Sequence, residues 1–127
     1  MRNHSRESGQ ALIEYTISVV VFLALTIGVL DLGRAVYTQN ILAYSARRGA
    51  RYALTDLTDV AGIEATVEQY MFGLDPSLAT VTITTDVNNG WVDVEVTYPY
   101  TALTPFIVDF IGTNGSITLR SQTHMHQ

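Results

Sequence analysis

Cysteine and lysine are both missing from this chain of 127 residues. Without cysteine there is no disulfide framework, no thiolate zinc site and no cysteine nucleophile. That absence leaves the compartment open, because exported domains without disulfides are common. Charge is scarce as well: 15% of the residues are charged, against about 25% in ordinary soluble proteins. Proline is confined to Pro76, Pro99 and Pro105, so the first 75 residues contain none. The length is room for one small domain and little more.

The charge deficit has an address. Ala11 to Leu30 holds a single charged residue, Glu14, in an otherwise apolar run of 20 residues. As a helix it spans about 30 Å, the thickness of a bilayer core. Thr16, Ser18, Thr26 and Gly28 inside it are all tolerated in membrane helices. Glu14 is not, and a charged carboxylate costs less near the edge of a span than at its centre. Tyr15 to Leu30 alone is 16 residues, slightly short for a span. The carboxylate therefore sits at the membrane edge and wants a cation.

The remaining charges are unevenly placed. Residues 1–54 carry six arginines against three acids, and residues 55–127 carry nine acids against Arg120 alone. The net charge of -5 thus hides a basic first part and an acidic second part. Nucleic-acid binding needs a basic surface on the folded portion, and the acidic second part argues against that class.

Three readings of the apolar run compete. A cleaved secretory signal has an apolar region of only about 7–15 residues and ends at a small-x-small site; Asp31-Leu32-Gly33-Arg34 follows instead. A generic single-pass anchor tolerates an acid near its start but gives it no role. The third reading starts from the polar stretch Met1 to Gly9, followed by Gln10, Glu14, Tyr15 and the run itself. Gly-x-x-x-x-Glu ahead of a long apolar helix resembles the processing site of type IV prepilins, and the Glu-Tyr pair resembles the version in Flp/Tad pilins. The resemblance implies cleavage between Gly9 and Gln10. A new ammonium on Gln10 would lie one helical turn from Glu14, in reach of its own carboxylate or a neighbouring subunit's. Arginine counting points the other way on orientation, since Arg34, Arg47, Arg48 and Arg51 follow the span while Arg2 and Arg6 precede it. The prepilin resemblance places the leader in the cytoplasm.

The absence of proline predicts one continuous helix from Gln10 to about Leu54. Beyond the span, Tyr37, Ile41, Tyr44, Arg48 and Tyr52 recur at helical spacing on one face. Ala35, Ala43, Ala46, Ala50 and Ala53 gather on the opposite face, where small residues let a sheet or helix approach closely. Asp31 and Arg34 are three apart and form a predicted pair at the membrane boundary. Arg47, Arg48 and Arg51 are expected to meet the acidic head or anionic headgroups, or else to cap a helix end as a solvated cluster.

Three segments together narrow the resemblance: Gly9-Gln10-Ala11-Leu12-Ile13-Glu14-Tyr15, Asp31-Leu32-Gly33-Arg34-Ala35-Val36-Tyr37, and Ala46-Arg47-Arg48-Gly49-Ala50-Arg51-Tyr52-Ala53. In that order and spacing they resemble TadE-type pseudopilins. The resemblance implies a minor subunit of the Tad machine, a type IV-like pilus serving adhesion and biofilm formation. It also implies a dedicated prepilin peptidase, a pilus assembly platform and other pilin subunits as partners. The setting it implies is the cytoplasmic membrane, with the C-terminal head outside.

After Leu54 the texture changes. Thr58 or Asp59 is a candidate N-cap for a helix from Val60 to Phe72, ended by Gly73. Thr80 to Val87 and Trp91 to Tyr98 alternate apolar with polar around Asn88-Asn89-Gly90, a hairpin signal. Val81, Ile83 and Val87 are expected on one side with Val92, Val94, Val96 and Tyr98, and Pro99 is expected to end the strand. Leu103 to Gly112 suggests a short helix, and Ser116 to Ser121 a third strand. The fold class is α+β: a pilin-like long N-terminal helix, membrane-spanning in its first half, packed on a small three-stranded antiparallel sheet. The expected divisions are a leader at 1–9, the long helix at 10–54 with its span at 11–30, and a head at 55–127.

Nothing signals catalysis. His124 and His126 share one face of an extended tail, but a catalytic zinc normally takes three protein ligands, and a floppy terminus is the expectation. Asp56, Asp59, Glu64 and Glu68 lack EF-hand spacing and suit a solvated face. Serine-nucleophile, phosphate-loop and dinucleotide signatures are missing, so neither enzyme activity nor a cofactor is expected. The rival to a filament subunit is a single-pass anchored extracellular binding domain that keeps its leader and never assembles.

Overall fold

The computed structural model describes residues 4–103 and 116–126, with side chains described from Gly9 onward. Helix α1 (His4–Ala53) is followed by α2 (Val60–Gln69), a 3-10 turn (Pro76–Leu78), and strands β1 (Thr80–Asp86), β2 (Trp91–Thr101) and β3 (Ser116–His126). α1 begins six residues ahead of Gln10, so the polar stretch before the span continues the helix. Its 50 residues reach about 75 Å.

The two halves of α1 live in different surroundings. From Leu12 to Leu32 its large apolar side chains are exposed all round the helix. From Asp31 onward one face is buried: Asp31, Thr38, Leu42, Ser45, Ala46, Gly49, Ala50 and Ala53. Ala46, Ala50 and Ala53 fulfil the expected small-residue face. Ala35 and Ala43 are only half-buried, and Leu42, Ser45 and Gly49 lie nearer its centre. Gly49 is where α2 comes closest, since a Cβ there would collide with Val67 Cγ2.

Asp59 caps α2, its carboxylate accepting from Gly62 N at 3.0 Å. The helix ends at Gln69, three residues short of Phe72. Tyr70 N already turns to the Val67 carbonyl and Met71 N to that of Glu68, which tightens the chain and sends Met71 into the core. Gly73 then reverses it at φ 75°, a left-handed conformation that costs glycine little.

The sheet runs in the order β1-β2-β3, both pairs antiparallel. The hairpin turn is organised by Asp86, whose carboxylate accepts from Asn88 N, Asn89 N and Asn89 Nδ2, while Gly90 takes φ 66°. β1 therefore stops at Asp86, and Val87 is exposed in the turn rather than on the inner face. Val92, Val94 and Val96 of the central strand are fully buried against α1 and α2 with Leu42, Ile63 and Val67. Val81, Ile83 and Tyr98 pack at the margin of that core.

Two expectations about strand ends are corrected. Pro99 does not end β2, which continues to Thr101 with Pro99 opposite Thr118. β1 pairs only as far as Thr97, so Pro99 sits where β2 has one strand neighbour, a place that tolerates a missing N–H. β3 does not end at Ser121 but runs to His126. Its ladder to β2 pairs His124 with Asp93 and His126 with Trp91, so the histidine tail is sheet rather than a loose end. Residues 104–112 of the expected short helix lie outside the described residues, and Leu103 is exposed.

Candidate functional site

The first candidate residues lie on the free half of α1. Gly9 and Gln10 are inside regular helix, and Gln10, Glu14 and Tyr15 are exposed. One turn separates Gln10 from Glu14, so both project from one side. Glu14 forms no ion pair among the described residues. The hydroxyls in the span are satisfied locally: Thr16 donates to the Leu12 carbonyl, Ser18 to that of Glu14 and Thr26 to that of Phe22, each at 2.8 Å. Such back-bonding suits an apolar environment, where unpaired polar groups are costly. The carboxylate of Glu14 is the polar group that stands out. This helix is a candidate membrane anchor by length and composition.

At the end of the apolar run the head takes hold of the stem. Asp31 is 3% exposed; its carbonyl accepts from Tyr100 Oη at 2.9 Å and its carboxylate from Leu103 N at 3.0 Å. The predicted Asp31–Arg34 pair forms, at a long 3.8 Å. Arg34 also lies 5.8 Å from the centre of the Tyr100 ring. The boundary pair is thus a junction with the end of β2, and Tyr100 is the member that helix spacing within 10–54 had no means of naming. Farther along, Gln39 Nε2 donates to the Arg120 carbonyl at 2.8 Å, tying α1 to β3. Tyr37 is exposed beside the Gly73 turn.

Within the arginine cluster, Arg48 meets the head through Tyr70, and none of the three arginines pairs with an acid among the described residues. Arg48 lies over two rings, 5.0 Å from the centre of Tyr44 and 5.2 Å from that of Tyr70. Its Nε and Nη2 donate to Tyr44 Oη at 3.0 and 2.7 Å, which pushes its pKa above the ordinary arginine value. Tyr70 meets Tyr44 edge-on at 5.8 Å and Phe72 at 5.9 Å. With Arg48 held this way, Arg47 and Arg51 flank it in a shallow cleft and remain exposed. Neither forms an ion pair among the described residues. Tyr70 and Phe72 were the residues missed, because they were expected inside α2 rather than in the turn after it.

The acidic residues behave as turn and cap residues. Asp56 accepts from the hydroxyl and N–H of Thr58, and these bonds hold its carboxyl below the ordinary aspartate value. Tyr52 donates to Asp59 at 2.8 Å, and that bond raises its phenol pKa. No group of three or more metal-ligating side chains converges among the described residues.

Comparison with curated proteins and with solved structures returns no match. The family of TadE-like proteins matches residues 9–51. That interval starts at Gly9 and takes in Glu14, the Asp31–Arg34 junction and the arginine cluster, ending two residues before α1 does. Over that stretch of its long helix, the chain is similar to TadE-like proteins.

Proposed function

We propose that the chain is a structural subunit of a Tad-type pilus, processed after Gly9, held in the membrane by its apolar span, and assembled through that same helix. Its role is mechanical, in a filament that serves adhesion and biofilm formation. The observation that carries this reading is the division of α1: its TadE-like interval has a first half clothed in unpartnered apolar side chains and a second half that carries the head. In lipid the first half is solvated by acyl chains, and in a filament by the helices of neighbouring subunits. One surface therefore serves both states.

Glu14 gains a function in this scheme. Cleavage after Gly9 gives Gln10 an ammonium one turn away, and pairing lowers the cost of an intramembrane carboxylate. Within a filament the same charge pairs with a neighbour's amine and sets register. Because Gly9 and Gln10 lie within helix, the peptidase must unwind the segment around them, and glycine eases that step.

Mass spectrometry of the chain from its native membrane tests the processing step. A mature N-terminus at Gln10 is expected; an intact Met1 favours an anchored binding domain that never enters a filament. Glu14→Gln is expected to leave the head folded while abolishing recovery of the chain in sheared filaments.

A further inference from the structure

Arg47 and Arg51 project from one flank of the head without ion-pair partners among the described residues, and Glu64 and Glu68 project from α2 likewise. α2 runs antiparallel to this part of α1: Asp59 meets Tyr52, Val67 abuts Gly49, and Tyr70 meets Tyr44. Glu64 and Glu68 therefore lie at the same height along the stem as Arg47 and Arg51. They do not face the same way. Gly62 borders the Tyr52 hydroxyl and the Asp59 carboxylate, and two and six residues further along a helix are about 200° and 240° of rotation. Glu64 and Glu68 are thus turned away from the Tyr52–Arg48 flank.

We infer that Arg47 and Arg51 of one copy dock against Glu64 and Glu68 of a second copy standing parallel beside it. This rests on the assembly reading above and deepens it by naming the side-by-side contact between heads. Charge complementarity selects the occupant: two cations and two acids, unpaired among the described residues, occupy opposite flanks of one layer at equal height. A contact joining two different patches of the same chain is head-to-tail, and it propagates into a ring or open helix rather than stopping at a dimer. Arg48, fixed by two tyrosine rings and two hydrogen bonds, gives the basic flank a rigid centre, and ordered aromatic-arginine surfaces are favoured in interfaces. The height excludes lipid as the occupant. Arg47 is 17 residues beyond Leu30, about 25 Å of helix past the apolar run.

The cysteine-free chain makes the test clean. Full-length Arg51→Cys/Glu64→Cys protein, oxidised in its native membrane, is expected to give a ladder of dimers, trimers and higher species, while each single variant stays monomeric. A dimer from either single variant overturns the head-to-tail contact. Absence of a ladder, with the chain still sedimenting as a large complex, overturns the contact and leaves the assembly reading intact. Absence of both overturns the two together. In parallel, Arg47→Glu/Arg51→Glu is expected to reduce the sedimenting fraction about tenfold, and adding Glu64→Arg/Glu68→Arg to restore it. An unchanged fraction on first reversal, or no recovery on the second, refutes the pairing.

Discussion

The phenol of Tyr100 donates to the backbone carbonyl of Asp31 at 2.9 Å, joining the end of β2 to the residue that closes the apolar run. The head is therefore gripped at the point where the stem leaves the span. Tyr100→Phe keeps the ring and removes the bond. It is expected to lower head stability by about 1 kcal/mol, read from Trp91 fluorescence during denaturation in detergent. Asp31→Ala also strips Leu103 N of its acceptor. Leaving that partly buried donor unpaired is expected to cost about 1–3 kcal/mol. Equal stability of both variants with the parent refutes the junction.

Gly49 and Gly33 offer a matched contrast on one helix. Alanine favours a helix interior over glycine by about 1 kcal/mol, and around Gly33 a Cβ meets nothing within 4 Å. Gly33→Ala is expected to be neutral or slightly stabilising. At Gly49 the same Cβ strikes Val67 Cγ2, and overpacking costs about 1–3 kcal/mol. Gly49→Ala is expected to destabilise the head, as thermal unfolding of the two variants will show.

Acid sensitivity follows from the turn aspartates. Asn89, through its side chain and backbone N–H, lowers the pKa of Asp86, and Ser77 does the same for Asp75. Carboxyls with folded values below the unfolded one stabilise above the ordinary aspartate value near 3.9 and lose that contribution as pH falls through their folded values. Head stability is therefore expected to decline below about pH 4. Asp86→Asn flattens part of that decline; a slope identical to the parent's refutes the account.

At the other extreme, Tyr52 is held protonated by its bond to Asp59. A raised phenol pKa stabilises below the ordinary tyrosine value near 10 and loses its effect as pH rises through the folded value. Tyr52→Phe is expected to remove this alkaline loss, visible as a flatter denaturation midpoint above pH 10.

Much of the stem was readable from residue order because its determinants are local. An absence of proline before Pro76 and a 20-residue apolar run set the long helix and the span, and the alanine recurrence marked the packed face. The hairpin was equally local, since Asn88-Asn89-Gly90 serves the turn within four residues of Asp86. Strand ends were less so. Pro99 reads as a terminator until the length of β1 shows that β2 has an open side there, and His124 and His126 read as a tail until β3 finds its register on Trp91 and Asp93.

The chain order by itself determined the apolar span, the lone Glu14 at its start, the cation cluster farther along the same helix and the split between basic stem and acidic head. Only the tertiary structure decided what those groups meet. Asp31 is taken by Tyr100 and Leu103 from about 70 residues away, and Arg48 by Tyr70 across the α1–α2 contact. Such pairings depend on how far β2 extends and where α2 stops, which long-range packing sets; periodicity governs only which face a residue shares.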